Sequence, residues 1–146
     1  MPKWLDLPPI WLIAMMALMY LAADLAPFPD HHGYWTGGVI IVLGVKVAIW
    51  AAISFRRQRT TIIPHQTPTA LITGGPFQHS RNPIYLADLL VLIGWGCILG
   101  AALPFLAAPL FIWIINARFI KPEETRLAQA FGAPYAEYCA KVRRWI

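Results

Sequence analysis

From Ile84 to Ile120 the chain runs for 37 residues with Asp88 and Arg118 as its only charged side chains. As one helix that run would extend ~55 Å, nearly twice the ~30 Å hydrocarbon core of a bilayer. It has to fold back on itself, and Gly100 and Pro104 mark the place. The expectation is a tight helical hairpin, with one span at Ile84–Leu103 and another at Pro104–Ile120. Gly94, Gly96, Gly100, Ala101 and Ala102 supply small residues that let helices approach closely.

Two further apolar runs precede it. The first follows Pro8-Pro9 and covers Ile10 to about Pro27; proline costs little at a helix start, where its missing N–H has no partner to lose. Met1-Pro2-Lys3-Trp4 opens like a signal peptide, but no small-residue cleavage site follows the apolar stretch, so it reads as a retained span. A short polar turn at 28–34 holds His31-His32, read as turn residues. The next span is Trp35–Phe55, long enough as a helix to cross the core. Lys46 near its middle is expected to face other helices or to snorkel.

Four apolar spans set the class. The chain is 58% hydrophobic and 13% charged, against about 25% charged in soluble domains. The reading is an all-α integral membrane protein, one domain over residues 1–146, with short amphipathic helices after span four. The net charge of +5 does not point to nucleic acid, because the basic residues crowd the span ends, where they meet lipid headgroups. Arg56, Arg57, Arg59 and Arg81 lie between spans two and three, and Lys121, Arg126, Lys141, Arg143 and Arg144 follow span four. The positive-inside rule then puts both termini and the 56–83 connection in the cytoplasm. Cys97 and Cys139 form no CxxC and no Cys/His cluster, so no metal site is expected.

That topology brings two polar stretches to one face: Gly74-Gly75-Pro76-Phe77-Gln78-His79-Ser80-Arg81-Asn82-Pro83-Ile84-Tyr85, and Lys121-Pro122-Glu123-Glu124-Thr125-Arg126. Glycines let backbone N–H groups approach a carboxylate or phosphate. Asn82 and Tyr85, three apart, share a helix face. Glu123-Glu124 suit a helix N-terminus. In the tail, Leu127, Phe131, Tyr135, Tyr138, Val142 and Trp145 make a helical stripe interrupted at Gly132 and Pro134, which predicts two short helices. These spacings alone give a polar pocket at a membrane face. No P-loop, GxSxG, HExxH or dinucleotide fingerprint accompanies them.

The segment Leu71 to Leu86 resembles the cofactor motif of the isoprenylcysteine carboxyl methyltransferases, a family related to the phospholipid methyltransferases. Glu123-Glu124-Thr125-Arg126-Leu127, Phe131-Gly132-Ala133-Pro134-Tyr135, Tyr138 and Val142-Arg143-Arg144-Trp145 resemble its C-terminal signature. The motifs occupy 69–86 and 123–145. The resemblance implies S-adenosylmethionine as methyl donor. It places Thr69, Leu71, Ile72 and Phe77 around the donor, Asn82, Pro83 and Tyr85 on its amino-acid or ribose parts, and Glu123 on its charged end. Gly75 and Arg81 complete the expected cofactor set. Glu124, Tyr85 and Arg118 are the catalytic candidates, the first two as bases for an amine or thiol acceptor. Arg118 stands one position off the register of a substrate-contacting Arg in the family's eukaryotic enzymes. Asn82 stands where many members have His, Phe77 replaces a frequent Tyr, and Ala87 a frequent Gly.

The resulting expectation is methyl transfer to a lipophilic or small acceptor arriving from the lipid, at the cytoplasmic face of a prokaryotic inner membrane. A carboxylate, a thiol and an amine all stay open as acceptor. Two other classes compete. One is an NADPH-dependent membrane reductase of the sterol-reductase type, with Arg56-Arg57-Arg59 for a phosphate. The other is a non-catalytic membrane scaffold.

Overall fold

The computed structural model describes residues 7–25, 33–58 and 70–146, without the side chains of residues 103 and 104. His31, His32, Arg59 and Thr69 lie outside that description. Every regular element among the described residues is helical. Helix α1 is Pro8–Ala22, extended by a 3-10 turn at Ala23–Leu25; α2 is Gly33–Arg57; α3 is Pro83–Leu99; α4 is Ala107–Ile115; α5 is Lys121–Phe131; α6 is Ala133–Lys141.

Proline and glycine punctuate these helices. Pro8 and Pro83 occupy the first turns of α1 and α3, where no N–H is needed. Gly100 closes α3 in the left-handed region at φ 61°, its N–H donating to the Cys97 carbonyl. Arg56 and Arg57 fill the last turn of α2, where the helix dipole favours cations.

The 37-residue run does turn back near Gly100, but α3 ends at Leu99 rather than Leu103. A 3-10 turn at Leu103–Leu106 precedes α4. The principal neighbour of α3 is α2, not α4. The two helices run antiparallel on a seam of small residues. A Cβ on Gly33 would collide with the Cys97 carbonyl oxygen, and one on Gly37 with that of Gly94. At Gly44 it would lie 2.9 Å from the Ala87 carbonyl oxygen. Backbones this close gain dispersion contacts that larger side chains would forbid. Gly96 faces the other way, toward Met19 of α1 and Phe105.

The larger departure is downstream. The sequence expectation ends span four at Ile120 and starts separate tail helices in the polar segment after it. Instead the helix continues from α4 into α5 through a π-turn at Asn116–Ile120, where Lys121 N–H donates to the Asn116 carbonyl. In an α-helix Pro122 would press its ring on the carbonyl four residues back. A wider turn just before it relieves that conflict. The stop at Gly132 is found as expected, at φ 54°, with α6 starting behind it.

Two apolar clusters hold the elements together. One joins Met15 and Met19 of α1, Leu92 of α3, and Phe111 and Ile115 of α4. The other joins Ala51 of α2, Ile72 and Phe77 of the 70–82 connection, and Tyr135 and Tyr138 of α6. Much apolar surface nevertheless points outward. Leu21 is 76% exposed, Trp113 68% and Val39 60%. Pro8–Leu25 and Gly33–Arg57 are long and apolar enough to cross a membrane. Outward leucine and valine on these two helices fit a lipid surround, as does the outward Trp113 of α4. Lys46 lies on the exposed side of α2, not against another helix.

Candidate functional site at the polar end of the helices

The site begins with a turn. Gly75 adopts φ 63°, a conformation that costs an L side chain energy, and a Cβ there would lie 3.0 Å from Ser54 Oγ. The turn is thus pressed onto α2. A 3-10 turn at Gly75–Gln78 follows and buries Pro76 and Phe77. The Phe77 ring meets Phe55 edge-on at 5.4 Å between centroids. Its carbonyl accepts a 2.6 Å hydrogen bond from the Tyr138 hydroxyl. Burial, the largest influence, pushes the Tyr138 phenol up to about 12, against the pull of the Arg81 guanidinium. The group therefore stays a donor at any physiological pH. Burial first, then a hydrogen bond with Cys139, also raises the Tyr135 phenol.

The chain then enters α3 under close control from the C-terminus. Ser80 is 1% exposed and donates to the Arg144 carbonyl at 3.3 Å. Asn82 donates to the same carbonyl through Nδ2 at 2.9 Å, and its N–H donates to Ser80 Oγ at 3.1 Å. Arg81 N–H donates to the Arg143 carbonyl at 3.0 Å. Residues 80–82 and 143–144 are therefore stitched together from opposite parts of the sequence.

Charge closes the arrangement. Glu124 accepts two hydrogen bonds from Arg144, from Nε to Oε1 at 3.0 Å and from Nη2 to Oε2 at 2.7 Å. Arg81 Nη1 lies 3.2 Å from Oε1 of the same carboxylate and donates to Cys139 Sγ at 2.7 Å. The Glu124 hydrogen bond, its largest influence, raises the Arg144 pKa. Next along α5, Glu123 accepts from the Tyr85 hydroxyl at 3.4 Å, a long bond. The Tyr85 ring also faces Phe119 of the π-turn, centroids 6.4 Å apart.

Between these parts lies a cleft of about 500 Å³, counting its open mouth. Leu71, Ile72 and Phe77 wall it from one motif, with Arg81 and Asn82 beside them; Glu123 and Glu124 come from the other. Of the residues singled out in the sequence, these seven converge. Tyr85 reaches the cleft's edge through Glu123. Pro83 is buried as the first residue of α3. Gly75 contacts Trp50 and Ser54 of α2. Arg118, within the π-turn, stacks over the Trp11 ring at 5.2 Å. Glu124 is committed to two guanidinium groups, those of Arg81 and Arg144.

Sequence reasoning missed Phe55, Ala70, Leu127, Tyr135 and Tyr138 as cleft walls. The helical stripe in the tail carried three of them, but a stripe does not say whether it covers a core or a ligand. It also missed Ser80 and Arg144 as the stitch, for which no sequence period exists.

The cleft's chemistry suits a molecule with a flat apolar part and a charged end. Apolar and aromatic walls can enclose a purine, and Glu123 can meet an ammonium or hydroxyl groups. Arg81 Nε is buried and has no hydrogen-bond partner among the described residues. An unused guanidinium donor beside the cleft wall is suited to a ligand carboxylate. The residues present thus fit S-adenosylmethionine, whose amino-acid end carries both charges.

Comparison with known proteins gives the same direction. The family model for phospholipid methyltransferase matches residues 32–134. An uncharacterised protein of Haemophilus influenzae is 44% identical over 63 residues, which are 43% of this chain and all of that protein. A probable protein-S-isoprenylcysteine O-methyltransferase of rice (Oryza sativa) is 31% identical over 121 residues, 79% of this chain and 63% of the rice protein. Protein-S-isoprenylcysteine O-methyltransferase B of Arabidopsis thaliana is 28% identical over 137 residues, 90% of this chain and 70% of its own length. No solved structure matches the chain. The family match spans most of the sequence and both sides of the cleft, and the chain belongs to the phospholipid methyltransferase family, a methyltransferase by class.

Proposed function

We propose that this protein transfers a methyl group from S-adenosylmethionine to a lipophilic acceptor at the cytoplasmic face of a membrane. The observation that carries the reading is the cleft itself. It joins Leu71, Ile72, Phe77, Arg81 and Asn82 to Glu123 and Glu124 at the end of apolar helices. A donor from water and an acceptor from lipid can meet there. Arg56, Arg57, Arg81, Lys121, Arg143 and Arg144 gather near this end in sequence, which supports the cytoplasmic side and a four-span path with both termini inside.

Bound S-adenosylmethionine would supply an electrophilic methyl group on a sulfonium. The chain's own residues then have three tasks. Arg81 and Glu123 hold the charged end, while Phe55, Leu71, Ile72, Phe77 and Leu127 exclude water from the rest. The Tyr85 hydroxyl donates to Glu123 through a long hydrogen bond, and Glu123 is the carboxylate that would take the proton an amine or thiol acceptor releases. A carboxylate acceptor would need no such transfer. Glu124, clamped by Arg81 and Arg144, fixes the wall.

Calorimetry on the purified protein in detergent tests the donor, with NADPH as the comparison ligand. Saturable binding of S-adenosylmethionine, and none of NADPH, is the expected result. No saturable donor binding overturns the reading. Labelled donor added to membranes, with extraction of the labelled product, then identifies the acceptor.

A further inference from the structure

Residues 142–145 connect the two apolar clusters. Val142 leaves α6 in extended backbone and packs in the cluster of Phe77 and Tyr138. Three residues later Trp145 packs in the other cluster, that of Tyr85, Phe119 and Ile120. Between them, Arg143 and Arg144 offer carbonyls to Arg81, Ser80 and Asn82. The Arg144 guanidinium reaches across to Glu124 with two bonds. The segment is a strap that ties the start of α3 to α5. Arg144 does not itself line the cleft, but two of its three partners, Asn82 and Glu124, do.

We propose that Arg144 is a positioning residue for the donor. Its carbonyl and its guanidinium together set the spacing between the Arg81–Asn82 wall and the Glu123–Glu124 wall. The geometry is specific to arginine. A planar fork grips both carboxylate oxygens and fixes the plane of Glu124, whereas a lysine would hold one oxygen as a point charge. With Glu124 fixed, the Arg81 fork is held by its Nη1 side, and its buried Nε is left turned to other partners. Without the grip, Arg81 and Glu124 can pair in other ways and fill the space a ligand needs.

This inference rests on the methyl-transfer reading, and the experiment separates the two. Donor binding to the wild-type protein is measured first; its absence removes the reading and this inference with it. Given binding, Arg144→Gln is expected to weaken donor affinity about 10-fold or more, and Arg144→Lys to recover part of that loss. Turnover at saturating donor is expected to stay within about 3-fold, so the defect falls on KM rather than kcat. By reciprocity, donor should slow hydrogen exchange at the Arg81 amide, which donates into the strap, and Arg144→Gln should abolish the slowing. A strap with only a stabilising role would lower Tm without that donor dependence. Unchanged affinity in a folded Arg144→Gln protein, or a donor-insensitive Arg81 amide in the wild type, overturns the proposal. If Arg144→Gln does not fold, Ser80→Ala takes its place; it removes the bond to the Arg144 carbonyl together with the acceptor of the Asn82 N–H, a few-fold weaker affinity is expected, and unchanged affinity overturns the proposal.

Discussion

The α2–α3 seam and the cleft end of the molecule are built by opposite means. Along the seam, Gly33, Gly37, Gly44 and Gly94 hold two backbones together by lacking side chains, with the small Ala87 opposite Gly44. At the cleft, Ser80, Arg81, Asn82, Glu124, Tyr138 and Arg144 hold theirs by directed hydrogen bonds. The first kind of contact asks only for small volume and survives in an apolar solvent. The second needs each donor matched to its acceptor, because a buried polar group left unpaired is costly. Stability should therefore respond to volume in one region and to hydrogen-bonding capacity in the other.

The contrast can be broken most severely at the seam. Gly37→Leu puts a branched side chain where even a Cβ collides, and should cost at least about 3 kcal/mol by forcing the helices apart. Loss of the folded, monodisperse species on detergent gel filtration would be the sign; a protein that keeps its wild-type Tm would show that the seam is not tight. Next comes Glu124→Gln, which keeps volume but leaves Arg81 and Arg144 without a counter-charge. Side-chain exposures of 16% and 38% for the two arginines temper the cost to about 1–3 kcal/mol. Donor affinity should fall more than Tm suggests, and equal affinity in the two proteins would speak against the clamp. Tyr138→Phe removes the bond to the Phe77 carbonyl and should cost about 1–1.5 kcal/mol, read from thermal unfolding. The smallest effect belongs to the outward face. Leu21→Ala should change stability in detergent by under about 0.5 kcal/mol; a larger shift would mean that this face packs on protein rather than on lipid or detergent.

This division also explains what could be read in the sequence. The apolar runs, the fold-back at Gly100 and the stop at Gly132 follow from hydropathy and backbone limits, which are local. The convergence of residues near 80 with Glu123-Glu124 followed from resemblance and from counting spans. Gly94 was legible as a close-contact residue, but its partner Gly37 on α2 was not, since it looks like an ordinary glycine until both helices are placed. The continuity of α4 with α5 was hidden because the polar segment after Ile120 argues for a break, and a π-turn leaves no mark in composition. Glu124 was read as a base because adjacent carboxylates carry no label for their partners. The Arg144 clamp on that carboxylate comes from 20 residues away.

The π-turn sets an angle as well as relieving a proline. Each residue added to or taken from a helix rotates everything beyond it by about 100°. Glu123 and Glu124 lie just past the widened turn, on a rod anchored in the apolar cluster by Phe111 and Ile115. The surplus residue within 116–120 therefore works as an index mark on a dial: it determines which carboxylate faces Tyr85 and which faces Arg144. A relative that kept every polar residue of the cleft but tightened this one turn would point them at the wrong neighbours.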